Sequence, residues 1–331
     1  MQSSERIKNI RTNRKQNRNS NQYEIRVFAP ASVTNVSCGF DIMGFALEWP
    51  GDEIVLRLKK EPNITIKKIT NDQGKLPLDP YKNTAGRSLM ALAEHLGFSD
   101  GIDMEIHKKM AMGSGLGSSA ASAVASVYAL NMLLDQPLDK KELLPFALEG
   151  EKLSSGGHVH ADNVAASLFG GFIIVRSLEP IEIVNIDYPE DLHCAVIHPQ
   201  IELKTAEMRR IIRQEITLGN AVQQWGNIAG LVAGLMKKDY GLISRSLQDV
   251  IIEPVRSKVI PGYDEVKKAA ISAGALGSSI SGSGPSIFAL CKSKEIAYKA
   301  AQAMQNVYQK INIESDIYIS KINKDGPRVI S

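Results

Sequence analysis

Apolar and polar residues alternate over Glu24-Ile-Arg-Val-Phe-Ala-Pro-Ala31 and again from Glu53 to Leu58. Period-two alternation marks half-buried strands, so the pattern predicts an opening sheet whose first strand ends at Pro30. Ile102, Met104 and Ile106 repeat it. Helical signals fall between and after these runs. Asn83 is a side-chain cap for a helix through His95 that stops at Gly97, and Asp139 caps another to about Lys152. From Ser118 an alanine-rich run continues with no Gly or Pro until Pro137, which predicts a long helix with the serine as its N-cap. Gly171 to Val175 reads as a short apolar strand. After Pro180 the pattern restarts, with strands at 181–186 and 193–198 and helices near 205–213, 217–249 with a break, and 262–273; Ile287 to Leu290 follows as a further apolar strand. This places a domain boundary near residue 180, dividing an N-terminal lobe (23–180) from a C-terminal one (181–331).

Composition changes the picture in three ways. A chain of 331 residues, 44% apolar, has material for two cored domains. It has no apolar run of the roughly 18 residues a membrane span needs and no secretory core near its start, so a soluble, cytoplasmic protein with no membrane partner is expected. Cys38, Cys194 and Cys291 lie far apart, which predicts reduced thiols rather than disulfides or a zinc knuckle. The net charge of +3 hides an asymmetry. Residues 1–22 carry six cations against Glu5, a local +5 that leaves the rest of the chain at −2. The body is therefore not expected to be a basic nucleic-acid binder, and the Asn-, Ser- and Arg-rich tail reads most simply as a disordered extension or an over-long translation start, with a transit-like peptide or an RNA-binding arm as sharper readings.

The chemistry concentrates in Gly113-Ser114-Gly115-Leu116-Gly117-Ser118-Ser119-Ala120-Ala121, which joins the alternating strand to the alanine-rich helix. Glycines let backbone N–H groups converge, and the first helical turn adds unpaired donors and the positive end of the dipole, so a phosphate is the natural guest. It is not a Walker A loop, because no lysine follows the glycines, nor a dinucleotide fingerprint. A second stretch, Gly274 to Pro285, echoes the first; it reads either as a loose hairpin turn or as a backbone wall over the phosphates or the substrate.

The loop resembles the phosphate loop of the GHMP small-molecule kinases. Ala29-Pro30-Ala31-Ser32-Val33-Thr34-Asn35-Val36-Ser37-Cys38-Gly39-Phe40-Asp41-Ile42-Met43-Gly44 is similar to that family's N-terminal motif, and Ser279-Ile280-Ser281-Gly282-Ser283-Gly284-Pro285-Ser286 to its C-terminal one. Asn35 with Asp41, His160-Ala161-Asp162-Asn163, Thr205-Ala206-Glu207-Met208-Arg209 and Glu253-Pro254-Val255-Arg256 look most like the branch that acts on homoserine. The resemblance implies an α+β, two-lobed fold, with a mixed α/β N-terminal lobe carrying the loop and a ferredoxin-like C-terminal lobe. It also implies ATP and Mg²⁺ as cofactors, phosphoryl transfer to L-homoserine, and a homodimer. Two departures stand out: Ala111 occupies a position where the family often has proline, and the segment 154–160 carries an extra residue.

Under that resemblance, Asn83, Ala111, Met112 and residues Gly113, Ser114, Gly115, Leu116, Gly117, Ser118, Ser119, Ala120 and Ala121 hold the nucleotide. Ser119 and Glu151 offer hard oxygens to Mg²⁺, with Glu149 as a rival carboxylate. Arg209 and Arg256 suit the substrate carboxylate, because a guanidinium grips it bidentately, although Arg209 beside Arg210 and Arg213 also reads as a plain basic helix face. Asp41 suits the ammonium or the reacting hydroxyl, and Asn35, His160, Thr205 and Gly282 complete the substrate's surroundings. Asp162 and Asn163 position the hydroxyl, with no dedicated base. Three rivals remain open: a mevalonate- or shikimate-type acceptor, a zinc hydrolase using His158 and His160, and a nucleotide binder without turnover.

Overall fold

Strand β1 (Glu24–Thr34) runs past Pro30, where the alternation predicted its end. Pro30 pairs with Gly51 just before a register shift that resumes at Ser32, so its missing N–H falls at an irregularity that tolerates it. In the computed structural model, residues 24–135, 138–154, 161–203 and 205–331 are described, and the basic tail expected over 1–22 lies outside them. Strand β2 (Met43–Lys59) is far longer than the alternation at 53–58 suggested. Its first residues pair with β5 (Phe172–Leu178) and its later ones with β4 (Gly101–His107), while β1 runs alongside. The sheet order is β11-β1-β2-β4-β3, with β5 joined to β2 and β6 (Ile181–Ile186) to β5; β3 is Ile64–Thr70 and β11 is Arg328–Val329.

β3 and β4 are parallel, which requires a crossover, and α1 (Thr84–His95) supplies it. Asn83 caps α1 as expected, accepting from the N–H groups of Ala85 and Gly86 at 3.0 and 3.4 Å. α1 packs with α2 (Ser118–Leu133) and α3 (Lys140–Ser154), α4 (Ala161–Phe169) packs with both of these, and α2 and α4 also lie on β1 and β2. α2 is apolar all round because it is covered by helices and sheet together. Asp139 and Glu142 form a reciprocal capping box at α3, each side chain accepting from the other's N–H at 2.9 and 2.8 Å.

The boundary placed near residue 180 cuts a hairpin. β6 is antiparallel to β5, so the first sheet extends to Ile186 and the chain leaves it only beyond that residue. The second sheet, β10-β7-β9-β8, is antiparallel throughout, with β7 His193–Pro199, β8 Gly277–Ile280, β9 Ile287–Cys291 and β10 Ser315–Lys321. Its spatial order, fourth-first-third-second within the lobe, is the ferredoxin-like one expected. Both faces are buried. Cys194, Val196, Phe288 and Leu290 point into the large core shared with the first lobe, whereas Ala195, Ile197, Ile287, Ala289 and Cys291 point into a second core. That second core is closed by α9 (Tyr263–Ser272) and α10 (Lys294–Lys310). Phe45 of β2 stands 4.6 Å from Phe172 and 6.2 Å from Phe288 between ring centroids, tying the lobes through one aromatic cluster. The cysteines are free and buried. Of four further helices, α5 (Thr205–Arg210) and α8 (Glu253–Arg256) contribute residues to the cleft, while α6 (Leu218–Lys237) and α7 (Tyr240–Ser246) pack on each other.

The two glycine-rich stretches meet. Ser286 N–H donates to Ser114 O at 3.2 Å, Ser281 Oγ to Gly115 O at 2.8 Å, and Gly282 N–H to Thr34 O at 3.1 Å. The second stretch is thus a held backbone wall and not a loose turn. The approach is so close that a Cβ on Gly115, whose φ is +79°, would lie 2.4 Å from Ser281 O. Gly115→Ala is expected to cost about 1–3 kcal/mol through this clash and the left-handed backbone; an unchanged thermal midpoint would show that the loops part freely.

Candidate active site

One cavity of about 280 Å³ opens where these loops meet. Its lining includes Asn35, Asp41, Asn83, Met112, Gly113, Ser114, Gly115, Gly117, Ser118, Ser119, Ala120, Glu151, Asp162, Asn163, Thr205, Arg209, Arg256 and Gly282, so most of the residues singled out in the sequence converge on it. Leu116 and Ala121 do not line it. Their side chains are buried in the large core, and Leu116 serves through its carbonyl, which accepts from Ser32 N–H at 3.0 Å. Ala111 precedes the loop without lining the cavity. His158 and His160 lie outside the described residues. Among the described residues, no group of three or more His, Cys, Asp or Glu is placed to hold a metal ion, so nothing described supports the zinc alternative.

The loop is built for an anion. Gly113, Gly115 and Gly117 have φ of +69°, +79° and +68°, a backbone only glycine adopts without strain. Among the described residues, the N–H groups from Gly113 to Ser119 donate to no other residue, and the Ser114 hydroxyl, buried in the cavity wall, has no hydrogen-bond partner. A triphosphate satisfies such donors. The cap differs from expectation: Gly117 is the N-cap of α2, and Ser118 is its first helical residue. A Cβ on Gly117 would lie 2.1 Å from Ser32 Oγ and 2.7 Å from Asn163 Oδ1, two atoms themselves hydrogen-bonded at 2.9 Å.

Ser118 turns inward because a buried charge network waits there. Its hydroxyl donates to Asp52 Oδ2 at 2.8 Å, as does that of Ser122 at 3.1 Å. Lys108 Nζ forms an ion pair with the same carboxylate and donates to Ser118 O at 3.0 Å and Ser122 Oγ at 2.8 Å. Lys109 N–H takes the remaining oxygen, Oδ1, at 2.9 Å. The sequence reading missed Asp52 and Lys108; the signal was a lone aspartate and lysine at the ends of apolar alternations, where burial demands a partner.

At the opposite wall, Asp41 and Arg209 pair with each other, Nη1 to Oδ2 at 2.5 Å, each about one third exposed. Asp41 N–H donates to Asn35 Oδ1 at 3.0 Å, and Asn35 Nδ2 donates to Gly282 O at 2.6 Å. Arg256 is only 4% exposed; it donates to Gly282 O at 3.0 Å and Met208 O at 3.3 Å. Burial lowers its pKa to about 10, with Arg209 adding to the shift and Asp41 opposing it. Phe40, also unforeseen, is in cation–π contact with both guanidiniums, its ring centroid 5.2 Å from Arg209 and 5.1 Å from Arg256. Thr205 Oγ1 contacts Ser283 Oγ at 3.2 Å.

Two carboxylates remain. Glu151 is buried on the cavity wall with the Ser119 hydroxyl, itself 3.2 Å from Thr84 Oγ1, whereas Glu149 pairs with Lys152 outside the lining. That favours Glu151 over its rival as a hard-oxygen ligand. Asp162, 2% exposed, accepts from Asn163 N–H at 2.9 Å at the start of α4. Asn83 spends its amide oxygen on the α1 cap and one amide hydrogen on Pro77 O at 3.1 Å, leaving the other hydrogen for the cavity.

Comparison with known proteins agrees with this geometry. Residues 83–171 match the GHMP kinases N terminal domain and residues 231–310 the GHMP kinases C terminal domain. A homoserine kinase from Chloroherpeton thalassium is 46% identical over 318 residues, covering 93% of this chain and 99% of its own. The crystal structure of homoserine kinase from Cytophaga hutchinsonii superposes with a TM-score of 0.92 at 55% identity, covering 94% and 98%. Mevalonate kinase from L. major, at 18% identity and a TM-score of 0.67 over 89% and 95%, shows the shared fold alone. No helix among the described residues is long and apolar enough to cross a membrane.

Lys108→Met would strand the Asp52 carboxylate in the core and is expected to cost about 3–5 kcal/mol. Urea unfolding measures this, and a loss under about 1 kcal/mol would mean that the network does not anchor the loop.

Proposed function

The chain belongs to the GHMP kinase family and groups there with the homoserine kinases, and on that premise we propose that it transfers the γ-phosphoryl group of ATP to the side-chain hydroxyl of L-homoserine. The product is O-phospho-L-homoserine, an intermediate of threonine biosynthesis. The observation that carries this reading is the convergence on one cavity of unused loop amides with an Asp41–Arg209 pair and a buried Arg256. The first arrangement fits a phosphate chain; the second fits an amino-acid zwitterion. Neither a mevalonate nor a shikimate acceptor carries the ammonium that Asp41 would balance.

Phosphoryl transfer asks the protein mainly for positioning and charge neutralisation. The amides of Gly113 to Ser119 hold the β- and γ-phosphates, and the α2 N-terminus adds its dipole. Arg209 and Arg256 take the substrate carboxylate and Asp41 its ammonium, with Asn35 and Thr205 orienting the polar edge. Asp162 and Asn163 aim the hydroxyl in line with the γ-phosphorus. The new O–P bond forms as the bond to the β-phosphate oxygen breaks, and the hydroxyl proton passes to the transferred phosphate. Ser119 and Glu151, a hydroxyl and a carboxylate on one wall, are a donor set suited to Mg²⁺, which neutralises phosphate charge when bound. The homodimer and the cytoplasmic location belong to the same proposal.

An ADP-release assay offering L-homoserine, L-serine, L-threonine, mevalonate and shikimate side by side tests the acceptor. Turnover should be highest with L-homoserine; activity confined to mevalonate or shikimate would overturn the acceptor while leaving a kinase. Arg209→Ala is expected to raise the homoserine KM by about fivefold, the scale of a hydrated ion pair, with the ATP KM held within about twofold. Equal loss of both would make Arg209 a structural residue.

A further inference from the structure

The last residue of β1, Thr34, is fully buried, lines the cavity, and has a hydroxyl that finds no hydrogen-bond partner among the described residues. Its backbone is committed: Thr34 O accepts from Gly282 N–H, and the residue pairs with Gly44 across β1 and β2. Its rotamer is constrained as well. The methyl packs so tightly against Gly44 that a Cβ there would lie 2.9 Å from Thr34 Cγ2. The hydroxyl is on the other side, 3.5 Å from where a Cβ of Gly282 would stand, and that same Cβ would be 3.0 Å from Gly115 O. Thr34 Oγ1 therefore sits at the junction of the phosphate loop and the substrate wall.

A buried strand position of this shape is served better by valine, which fills the same volume and strands no polar atom. An unpaired hydroxyl there lowers the stability of the free protein, so its presence points to a ligand atom that completes it. We propose that the Thr34 hydroxyl is a substrate contact at the reacting centre, hydrogen-bonding an oxygen of the γ-phosphoryl group or of the acceptor alcohol. This rests on the kinase reading above. Neither the alternation of the strand nor the spacing of the motif signals it, since Thr34 reads there as one more β-former.

The test compares Thr34→Val, Thr34→Ser and Ser278→Ala in the full-length chain. Ser278 carries another buried, unpartnered hydroxyl, but away from the cavity. Steady-state kinetics and thermal melting are measured, the latter without ligand, with a non-hydrolysable ATP analogue, and with L-homoserine. Thr34→Val should melt at or above the wild-type midpoint when free, yet lose about 10- to 100-fold in kcat/KM, the range of a hydrogen bond to a charged group. Thr34→Ser should recover activity to within about threefold, and Ser278→Ala should leave the kinetics unchanged. A smaller melting shift with the ATP analogue assigns the partner to the phosphoryl group, a smaller shift with L-homoserine assigns it to the acceptor, and a fall in kcat alone places the bond in the transition state. Thr34→Val with activity within twofold of wild type overturns the proposal. So does a fall in activity that tracks a lowered free-state midpoint and that serine fails to rescue. Wild-type protein inactive on L-homoserine but active on another alcohol of the panel would instead refute the acceptor assignment, and the variants are then read on that alcohol.

Discussion

Everything at this site depends on two backbone loops approaching so closely that neither tolerates a side chain at the crossing. Gly115 has the carbonyls of Ser281 and Gly284 where its Cβ would be, and Gly282 has the carbonyl of Gly115. Because the contact is made by backbone and short serines, two hydrogen bonds fasten the C-terminal lobe to the phosphate loop and a third fastens it to the end of β1. The loop is consequently held in place without a ligand. Such preorganisation matters most in phosphoryl transfer, where electrostatic stabilisation by fixed donors supplies much of the catalysis.

The same loop is anchored from behind by charge. Asp52 and Lys108 neutralise each other at the base of α2, and Ser118 and Ser122 satisfy the remaining lone pairs and protons. A buried pair of this kind contributes little net stability compared with apolar packing, but it admits few alternative geometries. Its cation also stands under the N-terminal turn of a helix, where positive charge is otherwise unwelcome. The carboxylate resolves that conflict.

Much of the site was legible because glycine and caps are local signals. The loop at Gly113–Gly117, the Asn83 cap and the Asp139–Glu142 box follow from backbone requirements that a few neighbouring residues express. What escaped were interactions set by tertiary contact. Phe40 has no local mark of its place, because α5 and α8 bring the two guanidiniums to its ring from far along the chain. Asp52 and Lys108 are brought together only by the β2–β4 pairing. Ser118 looked like a cap because serine usually is one, but the left-handed Gly117 took that place and freed the hydroxyl for Asp52. The β5–β6 hairpin shows the same limit, since no local signal tells a strand which sheet it joins.

The environments of the two arginines suit them to different shares of the proposed task of holding a carboxylate. Arg209 and Asp41 are each about one third exposed and satisfy one another, and a pair so hydrated is worth only about 0–1 kcal/mol. Opening it to admit a zwitterion, carboxylate towards Arg209 and ammonium towards Asp41, exchanges one weak pair for two of the same kind. Arg256 has no such reserve. It is buried, held by two carbonyl oxygens, and its pKa of about 10 still leaves it protonated at neutral pH. The arginine's share of the desolvation that opposes carboxylate binding has thus been met during folding, which leaves the arriving anion only its own to lose. In the proposed mode of binding Arg256 would supply the affinity for the carboxylate and the Asp41–Arg209 pair the discrimination, because only a ligand bearing both charges repairs both halves of the bond it breaks.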